Sequence, residues 1–254
     1  MIELVGLKKF FGDLKAVNGI DLLIPKGEFF AVLGPNAAGK TTTIKMIAGL
    51  MKPSEGRVRV AEFDVQDQAL EARSRLAYVP DFPFLYDKLT PWEFIGFTGE
   101  IFRMERSEID SRGKALVERF HLQDFVNKPI EGLSHGTKQR VAIVSALLHD
   151  PEVFVIDEPM VGLDPQHARI VKDVLKERTE RGMTVFLSTH QLSVAEEMAD
   201  RIGIIHQGQL IAVGTREELR QLSGKDGALE SAFLSLTSEE GEGEGEPTSA
   251  GGRA

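Results

Sequence analysis

The stretch from Phe29 to Leu50 constrains the fold more than any other part of the chain. An apolar run, Phe29 to Leu33, is followed by Gly34-Pro35-Asn36-Ala37-Ala38-Gly39-Lys40-Thr41-Thr42 and then by apolar positions at Ile44, Ile47 and Leu50. The order reads as strand, glycine-bracketed loop, helix. Gly34, Gly39, Lys40 and Thr41 match the spacing G-x-x-x-x-G-K-[ST], in which backbone N–H groups turn inward around phosphate oxygens and the loop opens into a helix N-terminus. Lys40 then supplies a point charge for the outer phosphates, and the Thr41 hydroxyl a ligand for Mg²⁺. The plain alternative is a Gly-rich turn before an ordinary helix; the placement between a strand and a helix favours phosphate binding.

A chain of 254 residues can bury one substantial core, or one core with a subsidiary domain. With 42% hydrophobic and 27% charged residues it has an ordinary globular composition. The net charge is −9, and although the last residues carry Glu239, Glu240, Glu242, Glu244 and Glu246 against Arg253, the rest of the chain is acidic too. An acidic body gives no electrostatic footprint for nucleic acid or anionic lipid, so no nucleic-acid partner is expected. The absence of cysteine excludes disulfides and thiolate metal sites and is compatible with the cytoplasm. The N-terminus lacks the basic-then-apolar pattern of a signal peptide. No apolar run approaches the ~20 residues that span a bilayer, so a membrane role is expected only through another chain.

Residues 2 to 24 alternate, most clearly at Val17, Ile20, Leu22 and Ile24, with Gly12-Asp13 and Asn18-Gly19 as turn signals; this predicts an antiparallel sheet that half faces water. Short strands are expected at Arg57 to Ala61 and Leu76 to Val79. From Thr90 to Asp150 the period becomes helical, with Thr90, Pro91 and Glu93 as a start signal and Ile109, Gly113, Leu116, Val117 and Phe120 on one face. This predicts a helical lobe inserted at about 90–150. Val153 to Ile156 and Met183 to Leu187 read as buried parallel strands. The helix between them takes Asp164 as N-cap, Pro165 at its first position and Gly182 beyond its end. Ser193-x-x-Glu196 and Thr215-x-x-Glu218 read as capping boxes. A main domain over 1–220 would be followed by a short amphipathic helix over 221–237, through Leu229, Phe233 and Leu236, and by a disordered acidic tail over 238–254. Strands alternating with helices predict an α/β sheet.

Asp157 and Glu158 end the Val153 strand, the edge at which open α/β sheets bind ligands. One carboxylate there can hold Mg²⁺ of a bound nucleotide while a second orients and deprotonates an attacking water. Taken alone, Asp-Glu-Pro is no more than a strand ending in solvated acids; beside a phosphate loop the pair reads as a site.

Further motifs carry a family resemblance. Leu133-Ser134-His135-Gly136-Thr137-Lys138-Gln139-Arg140 resembles the ABC signature LSGGQ with its downstream Gln-Arg, Val161-Gly162-Leu163-Asp164 resembles the D-loop, Ser188-Thr189-His190 the switch histidine, and Phe11-Gly12 the aromatic loop ahead of the Walker A motif. In this order they cover residues 9 to 214. The chain therefore resembles the ATP-binding subunit of an ABC transporter, an α/β P-loop NTPase of the ABC ATPase type: a mostly parallel core sheet, an N-terminal antiparallel β subdomain and a helical subdomain.

The resemblance implies ATP and Mg²⁺ as cofactors and two such domains, alike or unlike, sandwiching two nucleotides head to tail. Gly34, Asn36, Gly39, Lys40, Thr41 and Thr42 would cradle the phosphates, with Thr41, Asp157 and Asp81 toward Mg²⁺. Glu158 would be the general base and His190 would contact the γ-phosphate. Ser134 and Gly136 would reach the γ-phosphate from the opposite chain, and Phe11 would stack on adenine. A separate membrane-spanning subunit would hold the domain at the inner face of the cell membrane, meeting the helical lobe and the Asp81 loop. Leu85-Tyr86-Asp87-Lys88-Leu89-Thr90 and the short C-terminal part look more like compact exporter subunits than importers.

Each role has a structural rival. Phe11 can serve packing alone, His190 can be a surface residue before a helix, and Ser134 and Asp164 can be helix caps. Four positions depart from the family pattern: Ala37 stands for Gly, His135 and Thr137 stand for Gly and Gln, and Asp81 stands for Gln, which removes a donor and adds negative charge. A non-transport ABC ATPase acting on ribosomes or DNA, or a weakly active regulatory subunit, are the alternatives.

Overall fold

The computed structural model describes residues 1–222. The expected helix over 221–237 and the acidic tail over 238–254 lie outside the described residues, apart from Gln221 and Leu222, which close the last helix.

Two sheets form the frame. The first is antiparallel: β1 (Ile2–Phe11) pairs with β2 (Leu14–Ile24) and, on its other side, with β4 (Glu55–Val60), which pairs with the short β5 (Phe63–Asp64). Gly12-Asp13 makes the expected turn. Asn18-Gly19 does not: the strand continues through it, and the register slips between Leu7↔Ile20 and Lys8↔Asn18, so the glycine at φ 82° serves a bulge.

The second sheet contains β3 (Phe29–Leu33), β6 (Leu76–Val79), β7 (Val153–Asp157), β8 (Thr184–Thr189), β9 (Arg201–His206) and β10 (Gln209–Gly214), in the order β10-β9-β3-β8-β7-β6. All neighbours are parallel except the edge pair β9–β10. Its central strands are apolar on both faces because both faces are covered. Phe29, Ala31 and Leu33 of β3 enter one core with Phe154 and Ile156 of β7, whereas Phe30 and Val32 enter another with Val153, Val155 and the antiparallel sheet. The β9–β10 hairpin turns at Gln207-Gly208, both with positive φ (46° and 76°).

Helix α1 (Lys40–Ile47) follows β3 directly, and α2 (Ala69–Ser74) precedes β6. Leu50, expected on the buried face of α1, is 63% exposed: the helix stops at Ile47 and Gly49, at φ 66°, turns the chain away. Between β6 and β7 stand only helices, α3 (Pro91–Ile101), α4 (Arg106–Arg119) and α5 (His135–Leu147), with a short 3₁₀ turn at Ile130–Gly132. Thr90 and Glu93 cap α3 reciprocally, Thr90 Oγ1 accepting from Glu93 N at 3.2 Å and Glu93 Oε2 from Thr90 N at 2.8 Å. Ile109, Gly113, Leu116, Val117 and Phe120 form the buried face of α4.

Helix α6 (Pro165–Glu180) starts at Asp164, whose carboxylate accepts from His167 N at 3.0 Å. Helix α7 (Leu192–Met198) begins earlier than expected, at Gln191, which places Ser193 inside the first turn; no Ser193–Glu196 box forms. Thr215 and Glu218 do form theirs, at 2.7 and 3.2 Å, opening α8 (Arg216–Leu222).

Candidate functional site

The phosphate loop lies at the carboxyl end of β3, pinned from two sides. A side chain at Gly34 would strike the carbonyl of Ile205 at 2.4 Å, and one at Gly39 would strike that of Ala16 at 2.5 Å. Gly39 is also the N-cap of α1 at φ 107°, a conformation that L side chains resist. The loop is thus clamped between β2 and β9, and Asn18 N donates to Gly208 O at 2.8 Å to tie the two sheets together beside it. Ala37 adopts φ 64° without being glycine, so the substitution noted in the sequence holds a left-handed conformation at a cost of about 1–2 kcal/mol.

Lys40 is buried at the base of the loop, its Nζ donating to the carbonyls of Gly34 at 2.7 Å and Pro35 at 2.9 Å. Burial lowers its pKa, and the carboxylates of Glu158 and Asp157 act in the opposite sense. Thr41 Oγ1 donates to Asp157 Oδ2 at 3.0 Å. That separation is close to the edge of an octahedron of oxygens about 2.1 Å from a Mg²⁺ ion, so the pair fits two adjacent ligands of such an ion. Among the described residues no group of three or more His, Cys, Asp or Glu side chains is placed to hold a metal.

Glu158 follows Asp157 at φ 47°, and its backbone N donates to Ser188 O at 2.9 Å, which keeps the residue beside β8. Its two carboxylate oxygens are engaged separately: Oε2 accepts from Thr189 Oγ1 at 3.1 Å, and Oε1 lies 2.8 Å from His190 Nδ1. Glu158 is nearly buried, whereas the His190 side chain is 52% exposed. Thr189 was legible only as part of the Ser-Thr-His motif; its contact with Glu158 depends on β7 and β8 being adjacent in the sheet. Tyr78 lies close enough to sense Asp157 and Asp81, and burial first, then those two carboxylates, pushes its phenol up to about 12. Asp81 itself is exposed and makes no hydrogen bond or ion pair among the described residues.

Asn36 and Thr41 are exposed and Thr42 is half-buried on the same loop and first helical turn. Phe11, 48% exposed, stands at the end of β1 with Lys9 Nζ 5.3 Å from its ring centroid. It is a surface aromatic and not part of the core.

Ser134 and Gly136 occupy the start of α5, away from this cluster: no hydrogen bond or ion pair among the described residues joins them to the phosphate loop. Ser134 caps α5, its hydroxyl accepting from Thr137 N at 3.3 Å. A side chain at Gly136 would meet the carbonyl of Gly162 at 2.5 Å, so the signature packs backbone to backbone on the loop after β7. The His135 ring lies against Gly162 and 5.8 Å from the Phe82 ring.

A loop of this build, facing a carboxylate two strands away across a parallel sheet, places the chain among the P-loop nucleotide-binding proteins. The sequence profile of the ABC transporter family matches residues 17–161, and the chain belongs to that family, as one of its ATP-binding ATPase domains. The linearmycin resistance ATP-binding protein LnrL of Bacillus subtilis is 37% identical over 226 residues, covering 89% of this chain and 73% of the relative. The daunorubicin resistance ATP-binding protein DrrA3 of Streptomyces coeruleorubidus is 35% identical over 225 residues, covering 89% and 71%. Among solved structures, the ATP-binding subunit of an ABC transporter superposes with a TM-score of 0.88 at 32% identity, covering 93% of this chain and 99% of the other. The cassette MJ0796, a dimer in a post-hydrolysis state with ADP and Pi, gives 0.78 at 28% identity, covering 85% and 98%.

Proposed function

We propose that this chain hydrolyses ATP at sites shared between two ATP-binding subunits and thereby drives export through a separate membrane-spanning subunit. The observation that carries the reading is the row of oxygens at the sheet edge: Thr41 on Asp157 at 3.0 Å, then Glu158 held between Thr189 at 3.1 Å and His190 at 2.8 Å. Glu158 is fixed through both oxygens and still carries lone pairs, so it can take a proton from a water aligned on the γ-phosphate. With Nδ1–H donating to Glu158, His190 has Nε2 left for the phosphate, and Nε2 donates only when the ring is an imidazolium.

Thr41 and Asp157 would hold Mg²⁺, with Asp81 as a further carboxylate toward the ion, which would spread the negative charge of the phosphates. Lys40 would exchange its carbonyl partners for phosphate oxygens. Phe11 would offer its exposed face to adenine, and Gly34, Asn36, Gly39 and Thr42 would line the phosphate cradle. Ser134 and Gly136, exposed or half-buried at a helix N-terminus, would complete the site of the opposite chain. The dimeric state of MJ0796 with ADP and Pi supports this two-chain reading.

Among the described residues no helix is long and apolar enough to cross a membrane, and the reading assigns the membrane passage to a partner. The segment between β6 and α3 supports one: Phe82, Phe84 and Tyr86 are 68%, 83% and 57% exposed, and Tyr86 packs edge-on against Phe97 of α3 at 5.4 Å. Exposed aromatics grouped in this way suit a protein interface. This would hold the chain at the inner face of the membrane. Relatives named for linearmycin and daunorubicin resistance favour export. Purification of the full chain from its own cell tests the reading: a membrane protein should accompany it, and recovery with ribosomes or DNA and no membrane protein would overturn it.

A further inference from the structure

The first turn of α5 contains a chain of hydrogen bonds that begins at a buried guanidinium. Arg140, 4% exposed, donates through Nη1 to the carbonyls of Phe120 at 2.8 Å and His121 at 3.1 Å, and through Nη2 to Thr137 Oγ1 at 3.2 Å. Arginine only donates, so the Thr137 hydroxyl is an acceptor in that bond. Thr137 Oγ1 lies 2.9 Å from Ser134 Oγ, a pair of hydroxyls in which either can donate.

Burial decides the direction. Thr137 is 4% exposed, and among the described residues Ser134 Oγ is the acceptor within reach of its hydroxyl proton. If Ser134 donated, the Thr137 proton would be left buried without a partner, a situation folded proteins avoid. Thr137 therefore donates to Ser134. Ser134 Oγ then accepts twice, from the Thr137 hydroxyl and from Thr137 N at 3.3 Å, and both its lone pairs are used. Its own proton is then left for an acceptor outside this network, and the residue is exposed.

Given the two-chain site proposed above, on which this inference rests, we propose that Thr137 is a positioning residue that sets the Ser134 hydroxyl as a hydrogen-bond donor to the γ-phosphate held by the opposite chain. An anion takes only donors, and a serine free to rotate offers a lone pair as readily as a proton. The bonds Arg140 to Thr137 to Ser134 remove that choice, and each bond in the series polarises the next toward the phosphate. The chain thereby gives a local role to threonine at the signature position where the family usually carries glutamine.

Steady-state ATPase on the full chain, in the assembly in which it purifies, tests this with Thr137→Val, Thr137→Ser, Ser134→Ala and the Thr137→Val/Ser134→Ala pair. Thr137→Val keeps the shape and removes the hydroxyl; it should lower kcat about fivefold, with ATP affinity at the Lys40 site unchanged. Thr137→Ser should restore kcat to within about twofold of the parent. In the Ser134→Ala background the valine substitution should cost nothing further, because its target is gone. Thermal melting identifies any variant that fails to fold, and Thr137→Ala then replaces valine. A Thr137→Val enzyme with the parent kcat, no rescue by serine, or an undiminished loss on top of Ser134→Ala would overturn the proposal. If Ser134→Ala alone leaves kcat unchanged, or the parent assembly does not hydrolyse ATP, the two-chain reading itself falls and this inference falls with it.

Discussion

The phosphate-loop face and the signature face are both helix N-termini, but they are finished to different degrees. Around Lys40 the polar groups answer one another within the chain: the lysine is buried on two carbonyls, Thr41 is on Asp157, and Glu158 is held through both oxygens. Around Ser134 the polar groups form a short series that ends at the surface, with Arg140 and Thr137 buried and Ser134 exposed. In the proposed reading the first face binds nucleotide by itself. The second would act only when another chain brings a phosphate to it. On the two-chain proposal this division would let nucleotide binding and subunit closure be separate events, because the γ-phosphate would meet Ser134 only when two chains are together, the differential affinity that a ligand-driven closure needs.

The largest effect should come from the proposed general base. Glu158→Gln retains the contacts to Thr189 and His190 in outline but removes the base, and kcat should fall about a thousandfold while ATP remains bound and the dimer accumulates on size exclusion. Full turnover in this variant would remove Glu158 from the base position. Next, Lys40→Ala takes away the buried charge facing the phosphates. Nucleotide affinity, read by fluorescence titration, should drop about a hundredfold; an unchanged affinity would mean that the loop amides suffice.

Acid should act on the lobe that carries the signature. His149 closes the end of α5, stacked on Phe102 at 3.6 Å, and burial pushes its pKa down to about 4 from 6.5. The unfolded chain binds this proton below about 6.5 and the folded chain does not until about 4, so the associated stability is complete above the unfolded pKa and is lost as pH falls through that window. The loss should reach about 2–3 kcal/mol in urea unfolding at pH 4 and should be absent in His149→Phe. The smallest effect belongs to Ala37→Gly. Relief of the left-handed strain is offset by the extra freedom glycine gains in the unfolded chain, and the net change in urea unfolding should stay within about 1 kcal/mol.

How much of this was legible beforehand follows the same division. The phosphate loop, the Asp157-Glu158 pair and the buried strands are local patterns: spacing, apolar runs and capping residues stand in sequence order. So do the Thr90 box, the Asp164 cap and the buried face of α4. What needed the fold was adjacency between distant segments. Thr189 touches Glu158 because β8 lies beside β7, and Gly39 must be glycine because β2 passes at Ala16. The signal for the β9–β10 hairpin, Gln207-Gly208 flanked by His206 and Gln209 with apolar residues beyond them, is weak in sequence. Asn18-Gly19 and Ser193 misled for one reason, since turn and cap residues also serve inside strands as bulges and inside first turns.

The central claim is that each ATP site takes its Lys40 from one chain and its Ser134 from the other, and mixing two damaged chains tests it most directly. In a head-to-tail pair of Lys40→Ala with Ser134→Ala, both substitutions fall in one site and the second site is intact. Turnover of the mixture, allowed to exchange subunits, should rise well above the mean of the two variants measured separately. A mixture no more active than that mean would contradict the shared site.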